Sequence, residues 1–599
     1  MKTIIKIYPA VIGVSLVCFA SLPAVRAVVP PPDGGYPNLN TATGTNALQN
    51  LTTGVGNAAV GWYSLFSNTD GSFNTALGAG TLLFNIGDQS TAEGIENTAI
   101  GTAALLSNTA GGENTATGAL SLFSNTTGFS NTAIGVATLQ NNTTGNGNTA
   151  NGVSALNNNT IGGLNTATGF QALYFNTTGT FNTATGVGAL YSNTEGIFNT
   201  ANGFQALYHN TTGNNNTADG VNALFLNTSG SNNTAVGNVA LNNNTTGGDN
   251  TAVGAQALYS NSTGTYNTAI GLSALSFNTE GVSNNALGWF ALLSNTTGNG
   301  NTAIGVRALE HNTVGATNTA VGDLALDSNV VGNGNVAVGW QALLANTTGE
   351  NNTATGINAL LNSTTGHQNT ATGPYALLSN TTGTFNTATG NSALSSNVTG
   401  NSNTAIGASA GSFVQTASNV ICIGASVFGA DVSNTTWIGN VYEVTPLSGN
   451  TAPVIVSDTG QLGTAPSSER FKKNIAVMDQ SSEAILSLRP VTFHYKTDTK
   501  GIPQFGLIAE EVAKVNPSLV LPDKEGKPYT VRYDAVNAML LNEFLKEHKR
   551  VQELEAMVFQ QQRGMDALIA HIKEQDSRIQ RVSDQIEMSK AAPQVATSQ

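Results

Sequence analysis

The sequence has 599 residues, of which only 10% are charged, and its formal net charge at pH 7 is −13. Residues 28–466 contain one basic residue, Arg307, against 17 acidic ones, whereas residues 467–599 contain 18 of each. The acidic front part repels nucleic acid and anionic membrane surfaces, so neither is expected as a partner. The abrupt change near 466 predicts a different kind of structure on each side.

The N-terminus has the pattern of a removed signal peptide, residues 1–27. Lys2 and Lys6 precede an apolar run over 8–22, and Val25-Arg26-Ala27 places small residues where a signal peptidase cuts. An uncleaved membrane anchor is the alternative, but the run is short for a membrane span. We therefore expect a secreted or cell-surface protein with no transmembrane anchor in the mature chain. Its one remaining cysteine, Cys422, excludes an intrachain disulfide.

A Pro/Gly-rich linker, 28–39, leads into a repeat that begins at Asn40 and recurs every 17 residues to Asn403, with one six-residue insertion before Asn97. The 22 copies follow N-T-A-x-G-x-x-A-L-x-x-N-T-T-G-x-x, numbered here as places 1 to 17. Ala at place 3 and Gly at place 5 occur in all 22 copies. This pattern is typical of stacked coils, so 40–411 is predicted to be a mainly β, parallel β-solenoid shaft. At one strand spacing per coil it would be about 100 Å long.

Each coil is predicted to contain two arms and a closing turn. The NTAxG arm predicts a short strand, and the glycine at place 5 predicts a turn or a close backbone approach. Places 6 to 12 could form a strand or one helical turn, and N-T-T-G predicts the closing turn. One leucine per coil is little apolar burial for 17 ordered residues. We therefore expect backbone and Asn ladders between coils, and Ala/Gly arms that pack against neighbouring chains in a trimer.

Aromatic residues recur at place 10 of nearly consecutive coils, at Tyr174, Tyr191, Tyr208, Phe225 and Tyr259. Two interpretations stay open: a packed ladder at a seam between chains, or a surface strip that stacks against sugars. The acidic residues of the repeats show no carboxylate pair of the kind that a glycosidase needs. The six histidines show no ligand spacing, so neither a metal nor another cofactor is expected.

The 17-residue period stops after 411, and 412–466 is predicted to be a β-rich neck. Its segments NVICIG at 419–424 and TTWIGNVY at 435–442 predict short strands with glycine turns. The segment 452–466 predicts a hairpin that leads into the change of composition.

The second part of the chain begins with SSERFKKNI at 467–475, followed by LRPVTFHYK at 488–496, FGLIAEEV at 505–512 and YDAVNAMLLNEFLKE at 533–547. These motifs resemble the endosialidase-type intramolecular chaperones, a family of serine autopeptidases at the ends of phage tailspikes and fibres. The resemblance implies a small α+β chaperone domain over 467–535.

The resemblance also implies a self-cleavage site at the Pro466–Ser467 bond, with Ser467 as the nucleophile and Lys472 as its general base. The motif's second place is usually acidic, whereas this sequence has Ser468 there. A lysine can act as a base when burial lowers its pKa from about 10.4, and a wall formed by Phe471 and Ile475 is expected to provide that burial.

Three other polar residues of this segment are expected to be structural. Arg470 and Glu510 are expected in ion pairs, and His494 in a core or an interface, because it lies in an apolar alternating run.

A heptad pattern over 536–588 predicts a coiled coil that begins with a cap at Asp534. One core column holds Phe544, Val551, Val558, Met565, Ile572, Ile579 and Ile586; the other holds Glu547, Leu554, Gln561, Leu568, Gln575 and Val582. The family resemblance implies three strands, and 589–599 is predicted to be a disordered tail.

The repeats of 40–411 resemble the head repeats of trimeric autotransporter adhesins and the shafts of phage and bacterial surface fibres. Adhesins of that class end in a membrane-embedded β-barrel, whereas this sequence ends in AAPQVATSQ, so export through its own barrel is not expected. The sequence thus predicts a secreted homotrimeric fibre whose ligand is a cell-surface glycan or host receptor. A carbohydrate-degrading or glycan-binding tailspike is the alternative, and ice or crystal binding by threonine columns is a third.

Overall fold

The computed structural model describes residues 37–590 except 443, 445, 448 and 458. The predicted signal peptide, most of the predicted linker, and residues 591–599 lie outside this range. The chain divides into two compact units between residues 445 and 446. They are described here as the shaft and the tail.

The shaft is a parallel sheet of 24 short strands, one from each coil. Equivalent places of successive coils pair in register, so that Thr200 lies beside Thr217 and Ala201 beside Ala218. This confirms the predicted parallel β-solenoid. In chain order, β1 to β24 are Thr41–Thr43, Ala58–Val60, Thr75–Leu77, Thr98–Ile100, Thr115–Thr117, Thr132–Ile134, Thr149–Asn151, Thr166–Thr168, Thr183–Thr185, Thr200–Asn202, Thr217–Asp219, Thr234–Val236, Thr251–Val253, Thr268–Ile270, Asn285–Leu287, Thr302–Ile304, Thr319–Val321, Val336–Val338, Thr353–Thr355, Thr370–Thr372, Thr387–Thr389, Thr404–Ile406, Ile421–Ile423 and Thr436–Ile438.

The parallel stack continues into the segment predicted as a neck. Strand β23 keeps the 17-residue spacing, with Cys422 paired to Ala405 in the column of place 3, and β24 pairs with β23 in parallel. The two predicted strands are therefore present, as further turns of the solenoid. The predicted hairpin is also present, because β25 (Ile455–Val456) pairs antiparallel with β26 (Leu462–Gly463).

The second arm of each coil is neither a strand nor a helical turn. It is a run of tight turns in which places 7 and 9 have positive φ, as at Asn222 (φ 54°) and Leu224 (φ 53°). This left-handed conformation is unfavourable for residues other than glycine. Hydrogen bonds between coils compensate: Leu224 N–H donates to Ala240 O at 3.0 Å, and Asn222 N–H to Phe204 O at 3.0 Å.

The apolar core lies inside the single chain. The alanines at places 3 and 8 and the leucine at place 9 are fully buried, as at Ala218, Ala223 and Leu224. The expectation that the place 3 alanines pack against neighbouring chains is therefore wrong. Their side chains point into their own coil, and only the flanking places of that arm face outward.

Two buried Asn ladders hold the closing turns together. In one coil, the Asn216 side chain donates to Gly230 O at 2.8 Å, and the Asn227 side chain donates to the same carbonyl at 2.9 Å. Each Asn amide also bonds to its equivalent in the neighbouring coil, Asn216 to Asn199 and Asn227 to Asn210. The buried amides of this coil are therefore satisfied, and the expected Asn ladders are present. Ser363 interrupts the second ladder, and Oδ1 of Asn346 is left without a partner there among the described residues.

Asp431 closes the last full coil. In an inner coil, the N–H groups at places 13 to 15 donate to a carbonyl of the next coil. In the coil that begins at Asn403, the N–H groups of Gln415, Thr416 and Ala417 instead donate to Oδ1 of Asp431, at 2.9, 2.9 and 2.8 Å. A carboxylate oxygen thus replaces the missing carbonyl.

These bonds, with Gln415 N–H contributing most, lower the pKa of Asp431 from 3.8 to about 2. The stability that the ionised Asp431 contributes to the end coil is therefore complete above pH 3.8 and is lost as the pH falls through about 2. Because Asp431 is exposed, we expect Asp431→Ala to weaken the end coil by only about 1 kcal/mol. Amide hydrogen exchange at 415–417 should be faster in the variant than in the parent at neutral pH. Near pH 2 the exchange rates of the two proteins should become equal. Equal exchange at neutral pH would contradict this role.

The tail is a small α+β unit followed by a long helix. Strand β27 (Val491–Phe493) pairs antiparallel with β28 (Gln504–Gly506), and β29 (Val520–Pro522) with β30 (Pro528–Val531). The helices are α1 (Ala509–Val515) and α2 (Tyr533–Lys590), and 3-10 segments span Glu469–Phe471, Asp479–Ser487 and Pro517–Leu519. A small core contains Val512, Leu519, Val531 and Met539.

The predicted cap of the long helix is wrong. Helix α2 begins at Tyr533, so that Asp534 lies within its first turn, where a negative charge still favours the helix dipole. The helix runs through the whole predicted coiled-coil segment and ends two residues into the segment predicted as a disordered tail. No helix among the described residues is both long enough and apolar enough to cross a membrane.

Candidate functional site

Ser467 and Lys472 lie on the two sides of one 3-10 turn, Glu469–Phe471. The turn is closed by bonds from Phe471 N–H to Ser468 O at 3.0 Å and from Lys472 N–H to Glu469 O at 2.9 Å. It brings Nζ of Lys472 to 3.2 Å from Oγ of Ser467, within hydrogen-bonding distance. The two residues expected to act as base and nucleophile are thus adjacent.

The pair is open to solvent in the single chain. Ser467 and Lys472 are exposed, and so are Phe471 (60%) and Ile475 (64%). The expected apolar wall is therefore not formed by these two side chains alone. Instead, the Arg470 guanidinium group lies 4.7 Å from the centre of the Phe471 ring. A general base must be neutral to accept a proton, and an amine becomes neutral most readily in apolar surroundings.

The ion pairs of the tail involve other residues than the sequence suggested. Arg489 binds Glu511 through two hydrogen bonds, of 2.5 and 3.1 Å, which lower the pKa of Glu511. Neither Arg470 nor Glu510 belongs to an ion pair among the described residues. His494 is exposed in the single chain, so of the two positions expected for it the core is wrong, and the interface stays a prediction.

A buried serine connects the 3-10 segment Asp479–Ser487 of the tail to its long helix. Ser482 is fully buried, and its hydroxyl bonds to Glu543 and accepts a 2.7 Å bond from Asn542, both on α2. Lys546 forms an ion pair with Glu543 at 2.7 Å. Sequence reasoning missed this joint, because Ser482 and its partners on the helix are about 60 residues apart and nothing in the sequence pairs them.

An apolar groove opens beside this joint. It has a volume of about 630 Å³ and is lined by residues that include Ile485, Val491, Phe505, Tyr533 and Leu540. Phe505 is 81% exposed, which is unusual for an aromatic ring next to a core. The tail therefore presents unpartnered apolar surface both in this groove and along α2.

The aromatic residues at place 10 form a stack. Tyr174 and Tyr191 have ring centres 5.3 Å apart, Tyr191 and Tyr208 4.8 Å, and Tyr208 and Phe225 5.4 Å, with nearly parallel planes. Both faces of Tyr191 and Tyr208 are thus covered by neighbouring rings. Sugar stacking needs a free ring face, so these two rings offer only their edges. Tyr259 lies two coils further on and is half-buried.

Four charged residues meet on two adjacent coils of the shaft. Arg307 bonds to Glu310 and lies 3.5 Å from Asp327, while His311 lies 3.6 Å from Asp327. The donor atoms of Glu310, His311 and Asp327 are all within 4.8 Å of one another. The expectations that the acidic residues of the repeats are unpaired, and that the histidines lack ligand neighbours, are therefore wrong here.

This cluster contains a counter-ion from within the chain. Burial raises the pKa of Asp327, whereas Arg307 and His311 oppose that shift. Because Arg307 bonds to one carboxylate and approaches the other, the two carboxylates share a cation that belongs to the protein. We interpret the cluster as an ion-pair network that joins two coils.

Comparison with known families identifies the tail. Residues 467–521 match the family model described as chaperone of endosialidase. The search of curated proteins and the search of solved structures found no match. The matched segment begins at Ser467 and contains the Ser467–Lys472 turn, β27, β28 and α1. The C-terminal part of this chain therefore carries a chaperone-of-endosialidase segment behind a long parallel β-solenoid.

Proposed function

We propose that the protein is a secreted homotrimeric fibre whose tail assembles three chains and is then released by cleavage between Pro466 and Ser467. One observation carries the proposal: Lys472 Nζ lies 3.2 Å from Ser467 Oγ, at the first residue of the family match. A hydroxyl group becomes a useful nucleophile when a neighbouring base removes its proton. This arrangement supports a single self-cleavage event.

The proposed reaction consumes one water molecule. Oγ of Ser467 attacks the carbonyl carbon of Pro466 while its proton passes to Nζ of Lys472. The C–N bond then breaks, and the amine of Ser467 leaves with that proton. The resulting ester between Pro466 and Ser467 Oγ is hydrolysed by water, which yields a carboxylate at Pro466 and restores the serine hydroxyl.

Association of tails supplies what the single chain lacks. Phe471 and Ile475 lie beside the pair but do not enclose it, so Lys472 stays in contact with water. A second and third tail that pack on this surface would exclude water and favour the neutral amine. Cleavage would then follow assembly and act as a checkpoint.

The long helix supports association through its exposed apolar column. All seven members of that column on α2 are exposed, from Phe544 (66%) to Ile586 (51%). A heptad of exposed apolar residues on one helix is stabilised when equivalent helices pack on it. We propose a three-stranded coiled coil there, as the family resemblance implies.

The proposed ligand of the fibre is a cell-surface glycan or host receptor, in keeping with a secreted surface protein. The carbohydrate-degrading alternative gains no support from the geometry. The carboxylates of Glu310 and Asp327 are held by Arg307, and the inner rings of the aromatic stack have no free face. We therefore advance no second function.

The assembly step can be tested in chains that cannot cleave. In a Ser467→Ala chain we expect light scattering to give the mass of three chains. Adding Val558→Glu and Ile572→Glu should abolish assembly, because each would place three carboxylates in one core layer at a cost of several kcal/mol. Ala570→Glu, on the opposite face of the same heptad, is the control and should remain trimeric. A single-chain mass for the parent would contradict the proposed assembly.

A further inference from the structure

An exposed apolar surface follows the shaft from coil to coil on both sides of the place 5 glycine. We name it the corner stripe: the side chains at places 4 and 6 in the 14 coils that begin at residues 131 to 352. Every one of these coils has Val, Ile, Leu, Phe or Trp in at least one of the two places. Trp289 and Trp340 belong to the stripe and are each 49% exposed.

Intrachain packing does not explain these side chains. The core is filled by the alanines and leucines of places 3, 8 and 9, and the strands place their fourth residue on the outer face, as at Ile304. The glycine between the two places is needed for the close approach of adjacent coils, because a Cβ on Gly305 would lie 2.5 Å from the carbonyl oxygen of Gly322. Apolar residues therefore recur on the outside without contributing to the core, which is typical of an interaction surface.

The corner stripe is also nearly free of charge. In all 22 coils of this acidic shaft, places 4 and 6 hold only two acidic residues, Asp219 and Asp323. Other acidic residues lie at the closing turn, for example Asp70, Glu195 and Glu280 at place 14. Copies of a shaft this acidic repel each other, and the side chains of the corner stripe add little to that repulsion, so copies can pack closely along it.

The spacing of the stripe indicates what covers it. Its side chains repeat once per coil over about 65 Å, at the strand spacing of a parallel sheet. A partner that matches the stripe needs the same spacing over the same length, and a second copy of this shaft has both. The assembly proposed above would join the copies through their tails, so that equivalent coils can lie side by side.

We propose that the three shafts pack against one another along the corner stripe, with equivalent coils in register around the assembly axis. This inference rests on the three-chain assembly proposed above. The contact is thus assigned to the outward side chains at places 4 and 6, and not to the alanines of place 3. A globular partner protein is the main alternative occupant, and it would leave the stripes of neighbouring chains apart.

Cysteine cross-linking tests the packing with matched residues. The background is the full Ser467→Ala chain with Cys18→Ser and Cys422→Ala, since alanine is the residue that place 3 has in the repeats. Val338→Cys, at place 4, probes the stripe, and Val331→Cys, at place 14, is the control; the two valines are 37% and 39% exposed. Ile304→Cys and Val314→Cys form a second pair in case one substitution impairs folding.

With a short bis-maleimide, the two stripe variants should give covalent dimers, the largest product that one cysteine per chain allows, whereas the two controls should stay single chains on a denaturing gel. Two results in a sample that light scattering shows to be trimeric would contradict the contact along the corner stripe: cross-linking of the controls alone, or of no variant. Neither result would contradict the three-chain assembly. A monomeric mass for every variant and for the background would instead overturn the assembly, and the stripe contact with it.

Discussion

Ser467→Ala and Lys472→Ala should each leave the chain at full length. The first substitution removes the attacking hydroxyl, and the second removes the amine 3.2 Å away that takes its proton. Loss of a nucleophile or its base typically lowers the rate by on the order of 10⁴-fold or more, and single and double losses are not additive. The double variant should therefore be no slower than either single one. Denaturing gels and intact mass measure the uncleaved fraction.

The sequence provides a matched control for each substitution. Ser468 and Lys473 are the neighbours of the two proposed catalytic residues, and the side chain of Ser468 makes no capping bond to the turn. Ser468→Ala and Lys473→Ala should both cleave as the parent chain does. Cleavage of the Ser467→Ala chain at the parental rate, or loss of cleavage in the Lys473→Ala chain with retention in the Lys472→Ala chain, would contradict the assigned roles.

Gly305→Ala should be among the most destabilising single changes in the shaft. Gly305 has φ +136°, and an added Cβ would lie 2.5 Å from the carbonyl oxygen and 2.6 Å from the carbonyl carbon of Gly322. The two backbones cannot separate freely, because Gly322 N–H donates to Ile304 O at 2.7 Å. Backbone strain and overpacking together should cost about 3 to 5 kcal/mol.

Gly300→Ala is the matched control, five residues earlier. Gly300 has φ +65°, and its Cβ would meet only a Thr317 methyl group at 3.7 Å. Other coils accept a side chain there, with Ser130 at φ 54° and Asn215 at φ 57°. The expected cost is about 1 kcal/mol. Hydrogen exchange in the coils that begin at 284, 301 and 318 should show the difference, and equal costs for the two variants would contradict the close approach at place 5.

The repeats made much of the shaft predictable, because 22 copies act as their own alignment. Places that never vary are expected in the core, at the turn of the place 5 glycine or in an Asn ladder. The strands, their register and the Asn ladders could be predicted from these constant places. The conformation of place 9 did not follow. Leucine gives no sign of a positive φ, and the bonds that stabilise it at Leu224 come from neighbouring coils.

Other failures have identifiable physical reasons. The single leucine suggested too small a core, because the buried alanines were not counted as part of one chain's interior. Glu310 and Asp327 were treated as isolated, although residues 17 apart at the same place are neighbours in adjacent coils. The extra strand at Ile421–Ile423 was not recognised as solenoid because Val-Ile-Cys replaces Asn-Thr-Ala there.

At the tail, the sequence supplied the pair but not its surroundings. The motif places Ser467 and Lys472 on one short turn, and the structure brings their side chains together. The surroundings of the pair did not match the expectation, because the side chains of Phe471 and Ile475 are exposed in the single chain. The Ser482 joint was also hidden, since it depends on tertiary contacts between distant segments.

Native and intact mass spectrometry of the wild-type protein, taken at intervals during assembly, tests most directly whether the tail assembles three chains and then cuts itself off. We expect the three-chain species to appear first at full length. It should then convert to a three-chain shaft that ends at Pro466, together with fragments that begin at Ser467. A monomer that cleaves before it associates, or a new N-terminus at any residue other than Ser467, would contradict this mechanism.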